Sequence, residues 1–436
     1  MARRFVSAGM LAAVSWVGEA RADVLHVGAA GFPSPQAAID AAVDGDVILI
    51  QPGTYAGFTV TNKELFVAAA DSATVVHVGA SSVTGLVVGK TAALADLQFV
   101  SQSSAAALSL TTNAGAVRLQ RCSLRSDPAT GNPGVGAPGL DVRASTNVIA
   151  GDCSFVGGNG RGGAASSPSG GQPLGLSAPG GDGVTLTQAR VALHRSTALG
   201  GSAGTATAWM VNGPTGQGGK GLGCAGSFLF SNGVSMTGGR GGGLSLSNAA
   251  CTQSSNFQDM GRGGHGVSFA SNLPSEAWFI APQLNGGDYG PSNCPYTFEE
   301  QPGSSDFVRG PLGTILRRTG GASARQMSIP SLAPGTNPLA TSFVGAAGEL
   351  VHVVLSVAPE FLWTQNQAGL LGVSLASALP PQLVGIVDVG GTLSAPLALP
   401  ALPVGATDVV WHVQSYFTSP SGAVRLGPSA CVAQIP

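Results

Sequence analysis

Charge is what this sequence lacks. Only 10% of its 436 residues are charged, and lysine occurs three times, where an ordinary globular protein carries roughly 25% charged residues. The net charge is −2 and no basic run exists. That excludes nucleic acid and anionic membrane surfaces as expected partners, because both are held through clustered Lys and Arg. The surface must be wetted by Ser, Thr, Asn, Gln and backbone instead. Long hydrophobic runs are also missing. The stretch from Phe5 to Val17 is shorter than the roughly 20 apolar residues that span a bilayer. The apolar segment "AGLLGVSLASALPPQLVGIVDV" is cut by Ser374, Ser377 and two prolines.

The N-terminus reads as a targeting segment. "MARR", the short apolar stretch and Ala20-Arg21-Ala22 supply the basic, hydrophobic and small-residue regions of a signal peptide over residues 1–22. A secreted or cell-surface protein starting near Asp23 is expected. In an oxidising compartment its six cysteines can pair in fifteen ways, which sequence alone does not resolve.

What is abundant is glycine, 66 residues beside 28 prolines, which places glycine at repeated turns. Cutting the chain at this punctuation exposes a repeat in "GLDVRASTNVIAGDCSFVGG", "GVTLTQARVALHRSTALGG" and "GLGCAGSFLFSNGVSMTGG". The unit from opening Gly to closing pair measures 18 from Gly139 to Gly157, 17 from Gly183 to Gly200 and 17 from Gly221 to Gly238. The segment between units varies instead, from 26 down to 5 residues. Strands of fixed length with one variable corner define a solenoid whose insertions all leave one edge. Aligned units put Val117, Val148, Val191 and Leu229 in one inward column. Leu124, Phe155, Ala198 and Met236 form another. About ten rungs at ~4.8 Å make a stack roughly 45 to 50 Å long.

Upstream, "SPQAAIDAAVDGDVILIQPGTY" begins with Ser34 suited to an N-cap and Pro35 to the first helical position. Ile39, Ala42 and Val43 recur at helical spacing, and "VILI" is apolar on both faces, as strands of parallel sheets are. The helix is expected to close the open end of the solenoid, where an unpaired strand invites association. This segment resembles the N-terminal cap of right-handed parallel β-helix proteins of the pectin-lyase-like superfamily. The resemblance covers roughly Asp23 to Gly290 and implies fold, not activity, since that fold hosts lyases, hydrolases, esterases, adhesins and inert scaffolds.

The expected architecture is all-β: a right-handed parallel β-helix with a capping helix over residues 23–290, a linker over 291–320, and a small antiparallel β-sandwich over 321–436. "RQMSIP", "ELVHVVLSV", "GTLSAPLAL" and "DVVWHVQSYF" are its alternating strands. It is similar to a small C-terminal module of secreted bacterial proteins whose role is unknown.

Catalytic patterns are scarce. Gly264-His265-Gly266 resembles the Gly-His-Gly of β-helix polygalacturonases, a resemblance that implies an Asn-Thr-Asp, an Asp-Asp pair and an Arg-Ile-Lys as well. None of the three occurs here, so His265 is read as a surface histidine ahead of a catalytic one. No cluster of carboxylates suited to calcium or another metal is apparent, and no cofactor is expected. Arg121, Asp152 and Arg195 share one column at a bend, readable as a salt-bridge stack or as an arginine clamp for an acidic sugar. Trp209, in an insertion, either pins its loop or stacks on a sugar ring. Cys122 and Cys153 fall in one inward column, as a disulfide or as two stacked thiols. The expected function is a non-catalytic extracellular scaffold or adhesin that meets a surface polysaccharide or a protein partner. A polysaccharide-degrading enzyme with an untypical site is the alternative.

Overall fold

The computed structural model describes residues 23–29, 31–71, 76–101, 104–128, 134–162, 177–208, 216–246, 261–270, 272–288, 307–308, 314–319, 324–335, 338–364, 369–402 and 406–436. Residues 1–22, Trp209, Cys251 and Cys294 lie outside them.

Each coil contributes one strand to each of three parallel sheets. In one coil these are Leu140–Arg143, Asn147–Gly151 and Ser154–Val156. Among the described residues the first sheet has ten strands, from Val24–Val27 to Ile315–Thr319. The second runs from Gly53–Tyr55 to Gln283–Asn285 and the third from Thr59–Thr61 to Phe307–Val308, with eight strands each. All neighbours pair in parallel, so this is a parallel β-helix, right-handed as parallel crossovers are. The inward columns have the anticipated register: Val117 faces Val148, Val148 faces Val191, and Leu124 faces Phe155. Their side chains are buried in one continuous core. The last strands, Phe307–Val308 and Ile315–Thr319, come from the segment read as a linker and extend the solenoid instead.

Corners are made by single residues in the left-handed region. Asp96, Arg121, Asp152 and Arg195, with φ of 59°, 50°, 57° and 44°, turn successive coils from the first sheet to the second.

The helix Pro35–Ala41 is capped by Ser34, whose hydroxyl accepts from Ala37 N at 3.2 Å. Lys63 closes its other end, its Nζ donating to the carbonyls of Ile39 and Ala42 at 2.7 Å each. Ile39 is 2% exposed and belongs to the solenoid core. Ile39→Ala is therefore expected to cost about 2 kcal/mol, the low end of the range for buried Ile, because an end rung relaxes more readily than a central one. Urea titration of the two proteins checks this, and an unchanged midpoint would remove the helix from the core.

At one corner the glycines do not serve turns. The segments leaving the second sheet and those returning to the third alternate in a stack at one corner. There the N–H of Gly181 donates to Gly158 O, Gly201 to Gly181, Gly219 to Gly201, Gly239 to Gly219 and Gly264 to Gly239, at 2.7 to 2.8 Å. None of these glycines has a left-handed φ. The constraint is proximity: a Cβ on Gly219 would lie 1.9 Å from Gly181 O, and one on Gly264 1.8 Å from Gly219 O.

The C-terminal module is a sandwich of a three-stranded antiparallel sheet on a five-stranded one, around Phe343, Val353, Val413 and Phe417. It folds back onto the outer face of the first sheet. Val47, Leu49, Phe66 and Ala93 pack against Cys431 and Ala433. Further along, Phe230 and Ile149 meet Phe361 and Leu370, and Trp278 lies 4.5 Å from Trp363 between ring centroids. That explains why strands such as Val47–Ile50 are apolar on both faces.

Candidate functional site

The module covers the first sheet; among the described residues, the outward side chains of the second are exposed or part-buried. Strand alternation turns Phe99, Leu124, Phe155, Ala198 and Met236 inward and the residues between them outward. One outward column reads Gln98, Ser123, Ser154, Thr197, Ser235, Gln283, each residue paired in register with the next. Thr197 Oγ1 donates to Ser154 Oγ at 3.3 Å. Beside it runs a second column of Val100, Arg125, Val156, Leu199 and Thr237. Leu199 is 43% exposed. Arg125 is the one charge of these two columns and faces Asp127 at 3.7 Å. The result is a ribbon with hydroxyl and amide groups along one track and, beside it, a track that is aliphatic at Val100, Val156 and Leu199, interrupted by Arg125 and ended by Thr237. The glycine stack continues the strands at its edge. The hydroxyl column was not singled out in the sequence, although Ser123, Ser154, Thr197 and Ser235 sit one residue before the inward column at every coil.

The corner column of Arg121, Asp152 and Arg195 exists as aligned, but its pairing differs from an alternating ladder. Arg121 turns one coil back, to Asp96: its Nε donates to Oδ1 at 2.6 Å and its Nη2 to Oδ2 at 2.8 Å. Arg195 pairs with Asp152. Asp96 occupies the same bend and is nearly buried, so it offers Arg121 a bidentate partner in low dielectric. Arg121 also donates to Ile329 O, and Ser331 Oγ to Asp96, both residues of the C-terminal module. Arg118 is fully buried nearby and donates to Glu360 O at 3.3 Å, while Cys431 N donates to Gln120 Oε1 at 2.9 Å. Burial lowers the Arg118 pKa to about 10, which leaves it charged at neutral pH. The column thus fastens two parts of the chain together.

Cys122 and Cys153 are neighbours in the helix interior, as the register requires, and both are free thiols. Cys122 Sγ donates to Leu94 O at 3.3 Å and Cys153 Sγ to Gly151 O at 3.2 Å. Burial, and secondarily Cys122 itself, pushes the Cys153 thiol well above its ordinary range. His265 is half-buried at the return corner, where its carbonyl accepts from Gly221 N at 2.9 Å. Burial first, then Lys220 and Arg262, lowers its pKa.

Two further histidines bear on stability. His194 and His412 are buried, and desolvation lowers both to about 3, aided by Arg195 and Arg118 respectively. The unfolded chain binds these protons near pH 6.5, so stability is full above that value and falls as pH drops from about 6.5 toward 3. Asp408 works the other way, since burial raises it to about 6. Two imidazoles with the larger displacement outweigh it. The melting temperature is expected to be lower at pH 4.5 than at pH 7.5, and the difference should shrink in His194→Phe. Equal melting temperatures would contradict the neutral, buried assignment.

No family model matches the chain, and no curated protein does. Among solved structures it is similar to the enzymatically active domain of tailspike protein 2 of bacteriophage CBA120. That pair shares 10% identity, covers 96% of this chain and 77% of the other, and has a TM-score of 0.25. It is also similar to Pantoea stewartii WceF, a glycan biofilm modifying enzyme with a tailspike-like parallel β-helix fold, at 8% identity, 88% and 63% coverage and a TM-score of 0.16. A third is tailspike protein gp49 of the Acinetobacter baumannii bacteriophage Fri1, a capsular polysaccharide depolymerase, at 10% identity, 88% and 70% coverage and a TM-score of 0.15. At these scores the fold rests on the strand pairing described above. No helix among the described residues is long and apolar enough to cross a membrane.

Proposed function

We propose that this is a secreted, non-catalytic scaffold that holds a neutral extracellular polysaccharide along the outer face of the second sheet. The observation that carries the reading is the unbroken column Gln98, Ser123, Ser154, Thr197, Ser235, Gln283 beside the aliphatic track of Val100, Val156 and Leu199. A sugar has hydroxyl rims and apolar C–H faces, and this ribbon offers a complement to both. A polymer lying along the solenoid axis meets the same donors and acceptors at every rung, so many weak contacts add along one chain. The scarcity of charge favours a neutral glycan over an acidic one. Hydrolysis would require two carboxyls facing the polymer, and the two outward columns offer none.

Co-sedimentation with insoluble neutral polysaccharides tests this. Ser154→Glu combined with Thr197→Glu places two carboxylates in the contact, and desolvating them should reduce retention at least about tenfold; as register partners they repel, so the melting temperature falls slightly while the fold is kept. Retention equal to the parent protein would rule out this face.

A further inference from the structure

The contact between the C-terminal module and the first sheet is poorly matched in its polar groups. On the solenoid side Thr91 Oγ1, Asn147 Oδ1, Asn232 Oδ1, Arg195 Nε and both ring nitrogens of His194 are buried without a hydrogen-bond partner, and on the module side so is Trp363 Nε1. Elsewhere among the described residues only Ser231 Oγ and His352 Nδ1 are in that state. Such groups are costly to bury, so the cost is concentrated where the two parts meet. Each part has a core of its own, the solenoid around Val117 and Val148 and the module around Phe343 and Val413. Parting them leaves both cores whole.

The two histidines of this contact stand beside guanidinium groups. His194 is 1% exposed and lines a small cavity with Arg118 and Arg195, closed from the module by Met327, Ile329 and Ala430. His412 is 3% exposed and comes from the module; its Nδ1 lies 3.2 Å from Cys431 Sγ, and Arg118 acts on it from the solenoid. The Arg118 guanidinium donates to the carbonyls of Val117, Asn147 and Glu360.

We propose that this contact is an acid-operated catch: at neutral pH the module lies on the first sheet, and on acidification His194 and His412 take up protons, the module parts as a folded unit, and the apolar face around Val47, Leu49 and Phe66 is uncovered. An imidazolium at either position would be buried next to a cation, Arg195 for His194 and Arg118 for His412, whereas in the parted state water solvates both. The catch does not depend on the polysaccharide reading, which uses another sheet.

The charged and titratable groups facing His412 are Arg118 on the solenoid, Cys431 on the neighbouring strand, and Glu64 and Asp408, which line the same cleft. Those facing His194 are Arg195, Arg118, Cys431 and Asp152, the last paired with Arg195. Burial, then Arg195 and Arg118 respectively, lowers the docked imidazoles to about 3, and released they titrate near 6.5. Docking is therefore full above about pH 6.5 and is lost as the pH falls toward 3. Asp408 opposes this, because burial, then Asp46 and Asp23, raises it to about 6 and docking holds its proton. Glu64 is raised by burial and then by Asp44, which stays beside it on the solenoid in either state. Two imidazoles against one carboxyl leave a net uptake of about one proton on release between pH 6 and 4, which weakens docking about tenfold per pH unit.

Thiol labelling tests this on the full protein. Cys431 is 3% exposed within the contact, and burial raises its thiol to about 12, while Cys122, Cys153 and Cys224 lie in the solenoid core. The protein is treated with dithiodipyridine at pH 7.5 and 4.5, sites are assigned by peptide mass mapping, and each rate is taken relative to a free cysteine peptide at the same pH. The relative rate at Cys431 should rise at least about tenfold at pH 4.5 and fall back on neutralisation, with Cys122, Cys153 and Cys224 protected throughout. In the His194→Phe, His412→Asn protein the rise should be lost. Small-angle scattering of the parent protein gives a reading that needs no variant: its radius of gyration should increase at pH 4.5 and return at pH 7.5. A rate at Cys431 unchanged by pH, labelling of Cys122 and Cys224 together with it, a rise retained in the folded double variant, or an unchanged radius of gyration would each overturn the proposal.

Discussion

Gly219→Val should abolish folding of the solenoid, and Gly219→Ala should cost about 4 kcal/mol or more, in the range reserved for overpacking against backbone. The N–H of Gly219 donates to Gly201 O at 2.8 Å, and its own carbonyl accepts from Gly239 at 2.7 Å. A Cβ there meets Gly181 O at 1.9 Å, and no rotamer relieves a clash between Cβ and backbone. The neighbours must separate by more than 1 Å, which breaks hydrogen bonds on both sides of the file. Gly151 supplies the contrast, since a Cβ there meets nothing within 4 Å and its φ is not left-handed. Gly151→Ala should change stability by no more than about 0.5 kcal/mol, and a gain would reflect a stiffer unfolded chain. Urea unfolding of the alanine pair, with soluble yield for the valine variant, distinguishes packing from glycine content. Similar costs at both positions would refute the close-packed stack.

Arg325→Met is the second large effect. Arg325 and Glu349 are both nearly buried, with Nε to Oε2 at 2.7 Å and Nη2 to Oε1 at 2.5 Å. Glu349 Oε2 also accepts from Ala346 N at 2.9 Å. Removing the guanidinium strands a carboxylate at 2% exposure, a change that costs about 3 to 5 kcal/mol in comparable buried pairs. Removing both partners with Glu349→Met should recover most of the loss, because desolvation of two charges roughly offsets their attraction. Denaturant titration of the two single variants and the double variant closes the cycle. A double variant as unstable as Arg325→Met would show that the guanidinium acts through packing instead.

Much of this fold is written plainly in the sequence, because period and spacing are local signals. Ser34 and Pro35 announce the lid helix, and near-constant unit length fixes the register that aligns Val117 with Val148 and Leu124 with Phe155. Three features were less accessible. The two-faced apolar strand "VILI" signals a covered sheet, but nothing local says that the cover is the chain's own C-terminal module, which begins about 270 residues later. The glycine pairs mark one corner, yet turns and close backbone contact demand the same residue for different reasons. Asp96 was missed as the partner of Arg121 because "ADLQFV" lies upstream of the recognisable units, in a coil without a glycine pair.

The central claim, a polymer held but not cut along the second sheet, is tested most directly by one incubation with two readings. The protein is mixed with a panel of insoluble neutral polysaccharides, and sedimentation with the polymer and release of reducing ends are measured in the same tubes. The account predicts co-sedimentation with at least one polymer, lost in the Ser154→Glu, Thr197→Glu protein, with no reducing ends above a buffer control. Reducing ends released by the parent protein and abolished by His265→Ala would contradict it and make the protein an enzyme.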